Sequence, residues 1–462
     1  MTKRLFNEFD SISSKQWKQK IQFDLKGADY NNTLVWKTNE DILVKPFYHI
    51  DDFLELQKPS NTKATEWKIC QSIFVANVEK SNLKAVNAIK KGANSIKFII
   101  PSETVSIENL LKNIDLSTTS IHFELQFLSI NFIKNISTIS AKATIYYHTD
   151  IIGNLTKKGN WFNNIKDDFS QFEAIVKQTK SFSINASLYQ NSGATITQQL
   201  GYALAHANEY LNHLDSTLTN EEKQSININF NIAIGSNYFF EIAKLRALRL
   251  LYKTLASKYK INTNCYIIAT PSLRDKTLYD YNTNMLRTTT ECMSAILGGA
   301  NTVYNSPYDT LFHKDNKFGE RIARNQLLVL KHESYFDKVD NPTDGAYYIE
   351  SLTNQLAEKG LELFKNIEKN GGFLKQLKEG TIQRKIKESA TKEQQLFDKG
   401  ESILLGTNKH VNPNEKMKNE LEIYPFVKTN QRKTLIEPII EKRLSETLEQ
   451  KRLKNETSIT KS

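Results

Sequence analysis

Several β-rich stretches alternate between apolar residues and residues able to do acid–base or hydrogen-bonding chemistry. Over residues 225–234, Ile226, Ile228, Phe230, Ile232 and Ile234 alternate with Asn227, Asn229 and Asn231. Over residues 119–127, Ile121, Phe123, Leu125 and Phe127 alternate with His122, Glu124 and Gln126. Asn185, between Ser183 and Ser187, and Lys97, within residues 95–100, follow the same rule. Successive strand side chains point to opposite faces, so each stretch carries one polar and one apolar face. Imidazole, carboxylate, ammonium and amide groups on facing strands could move protons or hold a ligand. They could also close on one another, Lys97 beside Glu124 and His122, because a buried polar group left unpaired costs roughly 1–3 kcal/mol. The bulk of these side chains favours the closed network. His206 and His213 lie nearly two helical turns apart, too far for a zinc pair. Arg287 is expected to pair with Glu291 one turn on. Arg321 and Arg324 are expected to make structural ion pairs, and Tyr347 with Tyr348 to pack an arm or an interface. No nucleophilic triad, phosphate loop or paired-carboxylate site stands out.

The elements that must position these residues follow from periodicity. Between about residues 67 and 335, short β-rich runs alternate with amphipathic helical stretches, the pattern of βα units on a parallel sheet. Eight strands are predicted, at 67–75, 95–100, 119–127, 143–149, 183–187, 225–234, 265–270 and 301–305. Eight is the number that closes a (β/α)8 barrel, so the fold class is α/β of TIM type. Helices are predicted over 237–259, 194–214 and 284–297, the last ending in Gly298-Gly299. The helices must cover the apolar faces, which turns the polar faces into the barrel lumen.

Residues 1–60 read as an N-terminal arm anchored by Trp17, Phe23, Trp36 and Phe47, and residues 61–410 as the barrel with its flanking helices. Residues 411–462 read as a linker and one basic amphipathic helix over 433–454, whose narrow apolar face (Leu435, Ile439, Ile440, Leu444, Leu448) suits docking to a partner or to the chain itself.

Bulk properties exclude several classes. The net charge is +11, but the 62 basic and 51 acidic residues are interspersed and no nucleic-acid motif accompanies them. No run approaches the length of a membrane span, and the N-terminus lacks an apolar signal segment. Cys70, Cys265 and Cys292 are odd in number and without metal-ligand spacing, which suits a reducing, cytoplasmic setting. No nucleic acid, membrane or metal is therefore expected, and a CoA thioester is the one anion worth considering.

One block is far more specific. Phe230-Asn231-Ile232-Ala233-Ile234-Gly235-Ser236-Asn237-Tyr238-Phe239-Phe240-Glu241-Ile242-Ala243-Lys244-Leu245-Arg246-Ala247 resembles, almost residue for residue, a strand–helix block of the methylmalonyl-CoA mutase family. Arg321-Ile322-Ala323-Arg324-Asn325, Asp340-Asn341-Pro342, the run Gly345–Glu350, Ile367–Gly372 and Gly406-Thr407-Asn408-Lys409 are similar and in the same order, so the likeness covers about residues 35–410. It implies a (β/α)8 barrel whose lumen admits the pantetheine arm of CoA, followed by a cobalamin-binding domain.

The departures from the family pattern imply the function. The family's D-x-H-x-x-G, whose histidine ligates cobalt, has no counterpart: none of the eight histidines has Asp two residues before it, and the sequence ends where that domain would begin. In the matching segments Ser72 stands at the family's radical-assisting tyrosine, Leu188 at the histidine that bonds the thioester carbonyl, His148 at a substrate glutamine, and Lys158 at the carboxylate-binding arginine. Leucine can neither donate a proton nor polarise a carbonyl, and lysine lacks the bidentate fork. The family's CoA-binding stretch is replaced by Pro59-Ser60-Asn61-Thr62-Lys63-Ala64-Thr65. The resemblance therefore implies a non-catalytic small subunit that pairs with a large homologous subunit. Adenosylcobalamin is expected on that partner and none on this chain. The alternative is an independent acyl-CoA-binding barrel protein or enzyme that uses the polar lumen.

Overall fold

A computed structural model describes residues 8–53, 60, 62–139, 143–428 and 431–459. Eight parallel strands lie where the alternation places them: β1 (Lys68–Phe74), β2 (Ser95–Ile100), β3 (Ser120–Leu125), β4 (Ile145–Tyr147), β5 (Ser181–Asn185), β6 (Asn227–Ile234), β7 (Cys265–Pro271) and β8 (Thr302–Tyr304). They hydrogen-bond in the order β4-β3-β2-β1-β8-β7-β6-β5, which wraps a barrel whose two ends are β4 and β5. Across that seam Ser183 N–H donates to Thr149 O at 3.1 Å. One step further, the Asp150 carboxylate replaces the strand backbone, accepting Asn185 N–H at 2.7 Å. The fold is a TIM-type α/β barrel.

The apolar core lies outside the strand ring. Phe98, Phe123, Ile121 and Ile96 pack on helices Val78–Lys90, Ile107–Leu111 and Ile130–Ile139 in one cluster. Phe182, Ile228, Phe230 and Ile267 meet helices Ile196–Thr217 and Tyr238–Tyr259 in the other. Each such side chain, fully buried, stabilises the fold by about 1.5–3 kcal/mol. The long helices match their sequence signals to within a few residues, the third spanning Thr283–Leu297. Thr195 caps Ile196–Thr217 through a capping box with Gln198.

Two expectations change. The basic helix does not begin near 433: helix Glu446–Ile459 is preceded by an irregular strap, residues 431–445. Pro438 explains this, because proline lacks the N–H and clashes with the preceding turn. The strap docks on the chain itself. Leu435 and Ile436 N–H donate to Gly159 O, Ile439 N–H to Thr156 O, Lys442 N–H to Asn191 O and Leu444 N–H to Arg274 O, while Ile436, Ile439 and Leu444 are buried. It thus crosses the loops that follow β4, β5 and β7.

The second correction concerns arginines. Arg287 bonds Thr277 and Asn284 side chains, each at 2.8 Å, and Leu405 O at 2.7 Å, because Glu291 is taken by Lys276 at 2.7 Å. Arg324 reaches Gln71 Oε1 at 3.3 Å and Arg321 lies over the Phe318 ring, in place of ion pairs among the described residues.

The arm lies along helices Ile196–Thr217 and Tyr347–Lys369. Tyr48 and Phe53 pack on Tyr348 and Tyr347, with ring centroids 5.3 and 5.6 Å apart, and Glu40 accepts Ile196 and Thr197 N–H at the start of that helix, at 2.8 and 2.9 Å. Trp17 meets Phe47, and Trp36 meets Phe240, yet Trp17, Phe23 and Trp36 stay exposed. Pro59 and Asn61 of the substituted CoA stretch lie outside the described residues.

Candidate functional site

Parallel register decides which side chains share a face, and it aligns Ser72 with Lys97, Lys97 with His122, and His122 with Tyr146. On the other side of the ring, Ser183 aligns with Asn229 and Asn229 with Tyr266, while Asn185 aligns with Asn231. These residues point inward. Lys97 and Glu124 form an ion pair at 2.6 Å near the C-terminal mouth, and the Lys97 charge holds the Glu124 carboxyl below its usual range. His122 Nδ1 lies 3.2 Å from His148 Nε2, and His148 Nδ1 lies 3.1 Å from Asn231 Nδ2.

The middle of the lumen is filled by rings. His122 stacks on Tyr146 at 4.6 Å, and Tyr146 meets Tyr266 from across the barrel at 4.1 Å. The Tyr266 hydroxyl is 2.6 Å from that of Thr302. Both imidazoles are pushed well below the usual histidine range, chiefly by burial, with repulsion from His148 and Lys97 added at His122 and from Lys97 at His148. Burial also pushes the lumen-facing Cys70 thiol up to about 11, which makes it a poor nucleophile.

Two residues of the polar alternation flank this network. Gln126 is exposed just beyond β3, and Asn227 is exposed at the N-terminal edge, where it accepts from Asn262 at 2.8 Å. Asn185 accepts the Ser187 hydroxyl. His122 Nε2, both side-chain polar atoms of Asn229 and the hydroxyls of Ser95, Ser181 and Ser183 are buried with no protein partner among the described residues.

Of the positions that depart from the family pattern, Ser72 faces the lumen and His148 belongs to its network. Leu188 is packed into the main core on helix Ser187–Asn191. Lys158 ends helix Ile151–Lys158 with its ammonium 5.4 Å from the Phe162 ring centroid, and burial, then Arg432, lowers its pKa. Ser72 and His148 thus share the lumen, whereas Leu188 and Lys158 have other surroundings.

Sequence reasoning passed over three groups. Tyr146 and Tyr266 fill the lumen, and the signal was present, since each occupies an inward position of its strand. Asp150 clasps the seam: Oδ1 accepts His206 Nε2 at 2.9 Å, the Tyr210 hydroxyl at 2.7 Å and Gly153 N–H at 2.7 Å. Glu241 and Lys244 form a buried ion pair under the loop after β6, where Lys244 also donates to Gln199 and Ala233 O at 2.9 and 2.8 Å. No group of three or more His, Cys, Asp or Glu side chains among the described residues could hold a metal ion. No helix among them is long and apolar enough to cross a membrane.

Comparison with known proteins agrees with this architecture. The family described as methylmalonyl-CoA mutase matches residues 102–460. The methylmalonyl-CoA mutase small subunit of Porphyromonas gingivalis is 34% identical over 444 residues, covering 88% of this chain and 71% of that one. The large subunit from the same organism is 31% identical over 263 residues, covering 56% and 37%. The mitochondrial methylmalonyl-CoA mutase of Mus musculus is 26% identical over 499 residues, covering 95% of this chain and 65% of that one. Matched across most of its length by that profile, and by a small subunit it covers to more than two thirds, the chain belongs to the methylmalonyl-CoA mutase family.

Proposed function

We propose that this chain is the non-catalytic small subunit of a heterodimeric, cytoplasmic methylmalonyl-CoA mutase, and that a large homologous subunit interconverts methylmalonyl-CoA and succinyl-CoA. The observation that carries the reading is the ring-filled lumen: His122, Tyr146 and Tyr266 stack where an elongated thioester would thread. Leu188 at the family's histidine supports it, since an apolar side chain leaves a thioester carbonyl unpolarised. The existence of separate small- and large-subunit relatives in one organism supports the pairing.

Adenosylcobalamin would supply homolytic cobalt–carbon chemistry, and this chain's residues do not fit it. His122, His148 and His206 are buried and engaged, no histidine sits in D-x-H-x-x-G, and the strap lies over the C-terminal mouth. We place the corrinoid on the partner. The arm (1–60), with Trp17, Phe23 and Trp36 exposed, offers the partner apolar surface, and the barrel unit (61–410) and the tail (411–462) follow it in this chain.

Expressed alone, the chain should bind no corrinoid and turn over no substrate. Co-expressed with a homologue that contains D-x-H-x-x-G, it should co-purify as an active complex. Turnover by the lone chain would overturn the proposal. The partnerless lumen atoms of Asn229 and Ser183 favour a second reading, an independent acyl-CoA-binding barrel. An acyl-CoA affinity better than about 10 μM, roughly −7 kcal/mol, for the purified chain would support it instead.

A further inference from the structure

The strap's grip includes one contact with the geometry of a bound ligand. Glu441 Oε2 lies 3.0 Å from Lys157 Nζ, and its Oε1 accepts Asn191 Nδ2 at 2.9 Å. The amide that receives it is built in. Asn191 is 7% exposed, and its Oδ1 accepts the Ser272 hydroxyl at 2.9 Å and Leu273 N–H at 3.1 Å, which fixes Nδ2 toward the strap. The next residue is held similarly: Arg274 Nη1 donates to Lys442 O at 2.7 Å, and Arg274 Nε is fixed by Glu393 at 2.6 Å.

Lys157 feels a second carboxylate, Glu124, which is neutralised by Lys97 at the C-terminal mouth. With Glu441 withdrawn, the mouth would keep one ammonium without its ion-pair partner beside a fixed amide donor. That pairing selects a carboxylate by charge and by two directed hydrogen bonds. In barrels of this type, ligands bind at this face.

We propose that Lys157 and Asn191 form a carboxylate-binding seat at the C-terminal mouth of the barrel, and that Glu441 of the strap fills it as a built-in ligand which an external carboxylate can replace. The proposal rests on contacts within this chain and stands or falls separately from the subunit reading.

The test uses the full chain, with acetate as the probe and chloride at equal ionic strength as the control. In Glu441→Ala, backbone hydrogen exchange over 431–445 should quicken. Acetate at twice its dissociation constant should then stabilise this variant, lowering its unfolding constant by the linkage factor, about threefold. The wild-type chain should show the opposite sign, acetate quickening strap exchange by competition. Glu441→Ala/Lys157→Met should respond to acetate no more than to chloride. Equal effects of acetate and chloride in Glu441→Ala would overturn the proposal, as would an acetate response that survives the loss of Lys157. If Glu441→Ala does not fold, the wild-type competition decides alone: no acetate-specific quickening of the strap refutes the seat.

Discussion

At the scale of single residues, the lumen makes its histidines a liability in acid. His122 and His148 are kept neutral by burial, whereas in the unfolded chain they take up protons below about pH 6.5. The unfolded state then binds more protons, so stability is complete above that pH and falls as pH drops toward the folded values. The loss should approach about 1.4 kcal/mol per pH unit for each imidazole. Urea unfolding at pH 7.5 and 5.5 should show this loss in the wild type and a smaller one in His122→Gln/His148→Gln. A second liability is the Glu241–Lys244 pair, in which burial raises the acid's pKa and lowers the base's. Lys244→Met should cost about 3–5 kcal/mol, because Glu241 is left buried without its counter-ion, and Glu241→Gln in that background should recover most of it, as read by denaturant midpoints. The inward placement of Asn229 and His122 was legible from period-two alternation. The inward positions of Tyr146 and Tyr266 were legible in the same way, but not the plug they form, because an inward tyrosine between apolar neighbours looks like core until the opposite wall is known.

At the scale of elements, all eight strands and the three marked helices were legible, the longer ones by their period and the three-residue β4 and β8 as β-rich runs in the strand–helix alternation. The tail was not. Its apolar residues fit a helical stripe by spacing alone, and Pro438 overrides the stripe. The strap's seat on Gly159 gives a sharp test. That residue ends helix Ile151–Lys158 at φ +76°, and a Cβ there would come 2.7 Å from Ile436 O and 2.8 Å from Thr434 Cβ. Gly159→Ala should cost about 1–3 kcal/mol through backbone strain and should lift the strap. Hydrogen exchange over 431–445 is the measurement, and unchanged protection would contradict the packing described. Asp150 escaped notice for a different reason: its partners Asn185, His206 and Tyr210 are remote in sequence, and only ring closure brings them together.

At the scale of the whole molecule, the family likeness identified the barrel, and the substituted positions suggested what it lacks. If the large subunit binds the folded chain and not the unfolded one, mass action must stabilise it. At a partner concentration of about 100 dissociation constants the gain is about 2.7 kcal/mol. The complex should therefore melt above the lone chain in calorimetry, and a concentration-independent, unshifted transition would speak against association through a folded surface.

The seam between β4 and β5 carries a consequence for how the polypeptide could be divided. The chain crosses it once, between Tyr147 and Ser181, and the strap returns from the far end of the sequence to bind Gly159 and Thr156 on the β4 side. A break in the connecting loop near Asn163 would leave two pieces, each holding four neighbouring strands of the ring, with the strap on the second piece reaching back to grasp the first. The barrel is thus laid out as two complementary halves with a built-in tether, the arrangement that allows separately made fragments to reassemble.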